Sequence, residues 1–308
     1  MRFFAHGKLL LTAEYAVLGG AKALAVPTKL GQLLEVVETG NTIQWKSIDL
    51  HGNLWYENEF DITSFAPKRL DEISKRLQHL FLEIKTQNPN CWKASTGISF
   101  TTTLDFDRSW GLGSSSTLIS LLAQWSNVNP YVLQQEVFGG SGYDIACATS
   151  KSALVYERTN PLAPKVTAVD FSPEFLDRLF FVHLNQKQDS QKAVAAFDQS
   201  KLIPSTVKKI DELTRAFLEK SAIQNFQELM FQHEEITGNL IGMTPVQKSL
   251  FADYNGAIKS LGAWGGDFVL ACGDTSTPNY FSKKGYTTCL RYDALINSLS
   301  EDLGVQKE

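Results

Sequence analysis

Gly111-Leu112-Gly113-Ser114-Ser115-Ser116 is the stretch on which the reading of this chain turns, and the apolar run Thr117-Leu-Ile-Ser-Leu-Leu-Ala-Gln-Trp125 follows it directly. Two glycines let the backbone turn tightly and let a ligand approach closely. Three serines then stand where the pattern predicts the start of a helix. There the first N–H groups have no helical partner, and the dipole favours negative charge. Such a loop is either a phosphate cradle or a flexible turn with a serine cap. It is neither the Gly-x-Gly-x-x-Gly dinucleotide pattern nor a Walker A loop, because no Gly-Lys-Ser/Thr follows.

Outward from the loop, Gly97-Ile-Ser-Phe-Thr-Thr-Thr103 predicts a strand before it. Leu70, Ile73, Leu77, Leu80, Phe81 and Ile84 recur at spacings of three and four, which predicts an amphipathic helix over 68–85. Residues 22–60 read as short strands, including 33–37 and 42–48. Asn160-Pro-Leu-Ala-Pro164 breaks the pattern as either a domain boundary or a surface loop. Beyond it we expect strands at 179–184, 267–272 and 286–290, and helices at 205–220, 221–238 and 245–261. This mixture without regular βαβ alternation indicates an α+β fold.

Bulk properties narrow the function. At 308 residues the chain can form one large domain or two ordinary ones. Hydrophobic residues make up 43% and charged residues 20%, as in a globular protein with a substantial core. A net charge of −4 provides no basic field, so nucleic acid is not an expected partner. No apolar run reaches the length of a membrane span. His6, Lys8 and Glu14 interrupt the N-terminal apolar stretch, which does not read as a signal peptide. The four cysteines and five histidines are scattered, so neither a disulfide framework nor a zinc site is expected. A reducing cytoplasm is the expected location.

Three more clusters could bear chemistry. Gly139-Gly140-Ser141-Gly142-Tyr143-Asp144 sets one carboxylate in a tight turn, either an ordinary Gly/Asp turn or a general base near a substrate. Gly262-Ala-Trp-Gly265-Gly266 is a turn before a strand. His6-Gly7-Lys8-Leu-Leu-Leu-Thr-Ala-Glu14 carries one lysine along an apolar strand to one glutamate. That lysine either snorkels at an edge or points at a phosphate or substrate hydroxyl.

Together the four elements resemble, in order and over nearly the whole chain, the GHMP kinase superfamily of galactokinase, homoserine kinase, mevalonate kinase and phosphomevalonate kinase. Gly7–Leu18 with Ala23–Pro27 resembles the first motif, Gly111–Ser115 the core of the second, and Gly262–Gly266 a modified third. Ser141-Gly-Tyr-Asp144 is similar to the segment that carries the catalytic aspartate of mevalonate and phosphomevalonate kinases. Its Gly-Tyr-Asp-Ile-Ala form is closest to phosphomevalonate kinases and to a poorly characterised branch bearing that sequence. Two departures stand out. The second motif lacks its leading proline and first glycine and starts at Trp110. In the third, Trp264 replaces a glycine and would either stack on a ligand or fill core space.

The resemblance implies a two-part α+β fold: an N-terminal part (1–165) with a left-handed βαβ unit, and a ferredoxin-like C-terminal part (166–308). It implies an ATP- and Mg²⁺-dependent kinase acting on an alcohol or phosphate monoester, with mevalonate or phosphomevalonate the expected acceptor. A sugar or homoserine kinase, or a non-catalytic ligand sensor or scaffold, are the alternatives. By the same resemblance, the backbone of Gly111, Leu112, Gly113, Ser114, Ser115 and Ser116 cradles the ATP phosphates and the Ser115 hydroxyl contacts Mg²⁺. Asp144 accepts the acceptor's proton or orients its oxygen, and Lys8 stands beside it. Glu136 is the candidate second magnesium ligand or else a solvated helix residue. Glu14 is a substrate-side group or a structural ion-pair partner. Ser141, Lys187, Ser190, Gly265 and Gly266 are expected on the substrate side, with Lys187 and Lys192 facing an anionic acceptor or forming a solvated loop.

Overall fold

A computed structural model describes residues 1–92 and 96–297; the last stretch of the expected C-terminal part, 298–308, lies outside the described residues. The first sheet comprises β1 (Arg2–Leu10), β2 (Ala23–Glu38), β3 (Ile43–Ile48), β4 (Leu54–Phe60), β5 (Ile98–Leu104), β6 (Leu154–Glu157) and β7 (Lys165–Ala168). Its order is β4-β3-β5-β2-β6-β7, with β1 paired to β2. The long β2 organises it: β1 runs antiparallel beside it, β5 pairs with residues 32–38, and β6 pairs with residues 23–25. β3 and β5 pair in parallel. The chain joins them through β4 and α1 (Glu72–Gln87), which is the βαβ crossover.

Helix α1 starts where its chemistry dictates. Asp71 accepts from the Ser74 N–H at 2.7 Å, and the Asp71 N–H donates to Ser74 Oγ at 2.8 Å, a reciprocal capping box. Its apolar side, Leu77, Leu80, Phe81 and Ile84, packs with Trp45 and Phe100 of the sheet. Then come α2 (Ser114–Ser126), α3 (Pro130–Val137) and α4 (Tyr143–Thr149). The proline-rich stretch 160–164 is the loop between the paired strands β6 and β7, so the first sheet runs on to Ala168 and a division after residue 165 cuts through β7.

The second sheet has the order β11-β8-β10-β9, all antiparallel, from β8 (Leu179–His183), β9 (Ala257–Ser260), β10 (Phe268–Cys272) and β11 (Cys289–Arg291). Helices α5 (Ser190–Ala196), α6 (Pro204–Leu218), α7 (Ile223–Ile241) and α8 (Val246–Leu250) lie between β8 and β9. α9 (Thr277–Lys283) lies between β10 and β11, and α10 (Tyr292–Leu295) follows. That is the ferredoxin-like arrangement. The helix expected over 245–261 is corrected here to the short α8 and the strand β9. Gly256, at φ 152°, sits against the Cys272 carbonyl where no side chain fits, and the chain beyond it joins the sheet. One apolar core, including Leu9 and Leu24 from the first sheet and Phe181 and Leu270 from the second, unites the two parts.

Candidate active site

A cleft of about 790 Å³ is lined by residues from both parts of the fold, including Lys8, all of Gly111–Ser116, Ser141, Asp144, Lys187 and Ser190. Gly111 and Gly113 have φ of 65° and 90°, left-handed values that favour glycine. A Cβ on Gly113 would lie 2.7 Å from Ser116 Oγ and 3.3 Å from Lys8 Cε. Gly113 is the N-cap of α2, and no side chain caps the first turn. Ser116 Oγ instead donates to the Gly113 carbonyl at 2.8 Å. The serines therefore do not cap the helix, and the first N–H groups of α2 remain available to an anion.

Lys8 reaches this loop through an irregularity in β1. The register against β2 shifts between His6 and Lys8: Gly7 alone stands opposite residues 28–30, so the bulge lies in β2, and Lys8 faces Pro27, which has no N–H to offer the ladder. The Lys8 N–H donates to the Leu112 carbonyl at 3.0 Å, and its Nζ donates to the Gly111 carbonyl at 2.9 Å. The ammonium also lies 5.7 Å from the centre of the Tyr143 ring. Burial works to lower the Lys8 pKa, but Tyr143, Asp144 and Asp267 outweigh it and the value is raised. Burial pushes the Tyr143 phenol up to about 12, so at neutral pH it is uncharged and the two carboxylates supply the field at Lys8.

Asp144 sits in the first turn of α4, after Gly142 at φ 93°. Its Oδ1 accepts from the Ile145 N–H at 3.1 Å and from Gln134 Nε2 at 3.2 Å. Ser141 holds its place through its carbonyl, which accepts from Tyr156 Oη at 2.5 Å.

Several expected residues lie elsewhere. Glu136 is exposed on α3 and does not line the cleft. Two helical positions differ by about 200° around the axis, so the helix that turns Gln134 to Asp144 turns Glu136 away. Glu14 is buried and ion-paired to Lys259, so it ties the N-terminal segment to β9 instead of facing substrate, while the adjacent Ala13 N–H donates to His233 Nε2 of α7 at 2.9 Å. The residues flanking it, Ala13 and Tyr15, have φ of 69° and 60°, a strained turn that the buried contacts hold in place. Of the third glycine cluster, Gly262 and Ala263 line the cleft. Gly265 and Gly266 instead pack on segment 186–188: a Cβ on Gly266 would lie 2.6 Å from the Gln186 carbonyl. Trp264 is 1% exposed and its ring packs near Gly238, so it fills the core. Trp110 meets Phe268 edge-on at 5.6 Å and anchors the loop entry to the second sheet. Lys187 donates to the Arg108 carbonyl at 3.0 Å, and exposed Lys192 pairs with Asp189.

Two relevant residues escaped the sequence reading. Gln134 stands two residues before the carboxylate that the sequence offers, and its burial has no local signature. Asp267 packs its carboxylate on Gly111 and accepts from the Gln188 N–H at 3.1 Å. Its signal was its position directly after the Gly262–Gly266 turn.

The cradle of positive-φ glycines and open N–H groups fits nucleotide phosphates. For magnesium, the cleft presents the Ser115 hydroxyl and the Asp144 carboxylate. No group of three His, Cys, Asp or Glu residues among the described residues forms a metal cluster. A magnesium ion that keeps its waters and the phosphates of a nucleotide needs only one or two protein oxygens, so these donors fit it.

No family model matches the chain, and no curated protein matches it. Solved structures do. The crystal structure of a mevalonate kinase is similar with a TM-score of 0.69 at 18% identity, covering 97% of this chain and 100% of that one. Streptococcus pneumoniae phosphomevalonate kinase, in complex with phosphomevalonate and AMPPNP, has a TM-score of 0.68 at 17% identity, covering 92% and 95%. Lactococcus lactis galactokinase, complexed with galactose, has a TM-score of 0.68 at 14% identity, covering 96% and 93%. With the crossover sheet, the ferredoxin-like sheet and the cleft described above, the chain has the α+β fold of these mevalonate kinase, phosphomevalonate kinase and galactokinase structures.

Proposed function

We propose that this protein is an ATP- and magnesium-dependent kinase that transfers the γ-phosphate to an alcohol or a phosphate monoester, with mevalonate or phosphomevalonate as acceptor. The observation that carries this reading is the bond from Lys8 Nζ to the Gly111 carbonyl in the same cleft as Asp144. It joins a phosphate-type loop, a cation and a carboxylate in one place. The Ser-Gly-Tyr-Asp sequence at 141–144 supports the choice of acceptor, while the fold, shared alike with mevalonate kinase, phosphomevalonate kinase and galactokinase structures, supports a small-molecule kinase.

Phosphoryl transfer needs positioning and charge neutralisation more than covalent chemistry. The open N–H groups of α2 hold phosphate oxygens. The Lys8 ammonium, kept protonated by its neighbours, offsets charge on the transferring group and on the acceptor oxygen. Asp144 orients an acceptor hydroxyl and takes its proton. Magnesium, held by Ser115 and Asp144 with the nucleotide, would add further charge neutralisation. A phosphate-monoester acceptor is already ionised, so it depends on Lys8 more than on Asp144.

One observation favours a binding-only sensor instead: α3 turns Gln134, and not a carboxylate, toward Asp144. Turnover of ATP across mevalonate, phosphomevalonate, galactose and homoserine separates the readings. Phosphorylated product from one acceptor supports the kinase. ATP binding without product from any of them supports the sensor.

A further inference from the structure

We infer that Gln134 is the positioning residue for Asp144: its amide pins one carboxylate oxygen so that the other is presented to the cleft. The consequence for turnover rests on the kinase reading above; the orientation of Asp144 does not.

The geometry carries the inference. Gln134 Nε2 and the Ile145 N–H both donate to Oδ1 of Asp144, at 3.2 and 3.1 Å. Among the described residues no donor is bonded to Oδ2, and Asp144 lines the cleft. Backbone and amide thus fix the plane of the carboxylate from one side. The assignment of the amide follows from charge. A flipped Gln134 would aim its carbonyl oxygen at a carboxylate oxygen, two acceptors with no proton between them.

Burial makes this amide more than a surface contact. Gln134 is 7% exposed, and its Oε1 is buried with no hydrogen-bond partner. A buried, half-satisfied amide costs free energy. Leucine or methionine would fill the same volume between α3 and α4 without that cost. Among the described residues the one side-chain bond that Gln134 makes is to Asp144. Packing confines the amide too: a Cβ on Gly140, at φ 105°, would come within 3.3 Å of Nε2. The neutral amide has a second effect. A carboxylate at 134 would face Asp144 across the same distance and repel it unless a cation lay between them.

The test compares wild type with Gln134→Met, which removes the donor at similar volume, and Gln134→Glu, which keeps the shape but replaces the donor with an acceptor. In crystal structures of the full chain, Asp144 should hold one orientation in wild type and leave it in Gln134→Met. An unchanged Asp144 in that variant overturns the inference. In steady-state kinetics of the folded variants, Gln134→Met should lower kcat about tenfold, with KM for ATP and acceptor within twofold. Unchanged kcat, or a loss confined to KM, overturns it. Gln134→Glu should bind Mn²⁺ without nucleotide, read by electron paramagnetic resonance, where wild type binds none. Failure of Gln134→Glu to gain Mn²⁺ counts against the close approach of positions 134 and 144. If wild type turns over no acceptor, the kinase reading fails by itself, and the orientation of Asp144 in the two structures still decides the role of Gln134.

Discussion

Lys8 Nζ and the carbonyl oxygen of Gly111 stand 2.9 Å apart although 103 positions separate them in the chain. The bond makes β1 a structural part of the phosphate-type loop. The β2 bulge opposite Gly7 and the proline opposite Lys8 free this residue from the ladder, and the loop carbonyls of Leu112 and Gly111 take its two donors. The cation is therefore held in place before any ligand arrives, the preorganisation that electrostatic catalysis requires.

Removing either partner of the proposed chemistry tests this directly. Asp144→Asn should lower kcat with an alcohol acceptor about 10²–10⁴-fold, the range of a lost general base. Lys8→Met should lower it about 10²–10³-fold, as for loss of one oxyanion-type donor. Affinity for ATP without magnesium, read by calorimetry, should change little in Asp144→Asn. Near-normal kcat in either folded variant removes that residue from the mechanism.

The Glu14–Lys259 pair gives a stability prediction. Both side chains are buried, with Glu14 1% exposed and Lys259 0% exposed, and they join segments 245 positions apart. Lys259→Met leaves Glu14 buried without its ion partner and should cost about 3–5 kcal/mol in urea unfolding. Adding Glu14→Gln to that variant should restore part of the loss, because the stranded charge is gone. A cost below about 1 kcal/mol would mean that the pair does not tie the two parts together.

The phosphate-type loop, the Lys8 strand and the Asp144 turn were legible in the sequence because glycines and short-range patterns define them locally. The reading missed what depends on distant partners or helix phase. Glu14 lies in a motif that reads as substrate-side, yet its partner Lys259 comes from β9, a strand hidden within a run that reads as helix. Glu136 and Gln134 differ only in which way a short helix turns them. Trp264 stands in a loop-like cluster, but its left-handed backbone (φ 62°) directs the ring into the core beside Gly238. Its ring packing is a tertiary fact with no local signature.

Gly113→Ala should weaken ATP binding more than it weakens the fold. The left-handed backbone at Gly113 costs a residue with a Cβ about 1–2 kcal/mol. The new methyl also crowds Ser116 Oγ and Lys8 Cε at the mouth of the cradle. We expect unfolding free energy to fall by about 1–2 kcal/mol. The Kd for an ATP analogue should rise about tenfold or more, a further 1.4 kcal/mol. Unchanged ATP affinity would remove residues 111–116 from the nucleotide site.

The last prediction concerns pH and Glu234, which lies beside the Glu14–Lys259 pair and accepts from the Ser260 N–H at 2.9 Å. Burial pushes its carboxyl from an ordinary 4.5 up to about 8, against the pull of Lys259. Between those values the folded protein keeps the proton while the unfolded chain releases it. The unfolded state then binds fewer protons, so stability falls as pH rises from about 4.5 to about 8, at up to about 1.4 kcal/mol per unit. Above about 8 both states are ionised and this contribution levels off. His233 acts in the opposite direction. Burial and Lys259 hold its pKa well below 6.5, and its Nε2 accepts from the Ala13 N–H at 2.9 Å. The unfolded chain takes up that proton as pH falls below about 6.5, so acid destabilises the fold there. Glu234→Gln preserves an acceptor for Ser260 and removes only the carboxyl titration. It should be more stable than wild type at pH 8, and the advantage should shrink steadily toward pH 5, read as urea midpoints across the range. Parallel pH profiles for the two proteins would mean that Glu234 is already ionised in the folded state at neutral pH.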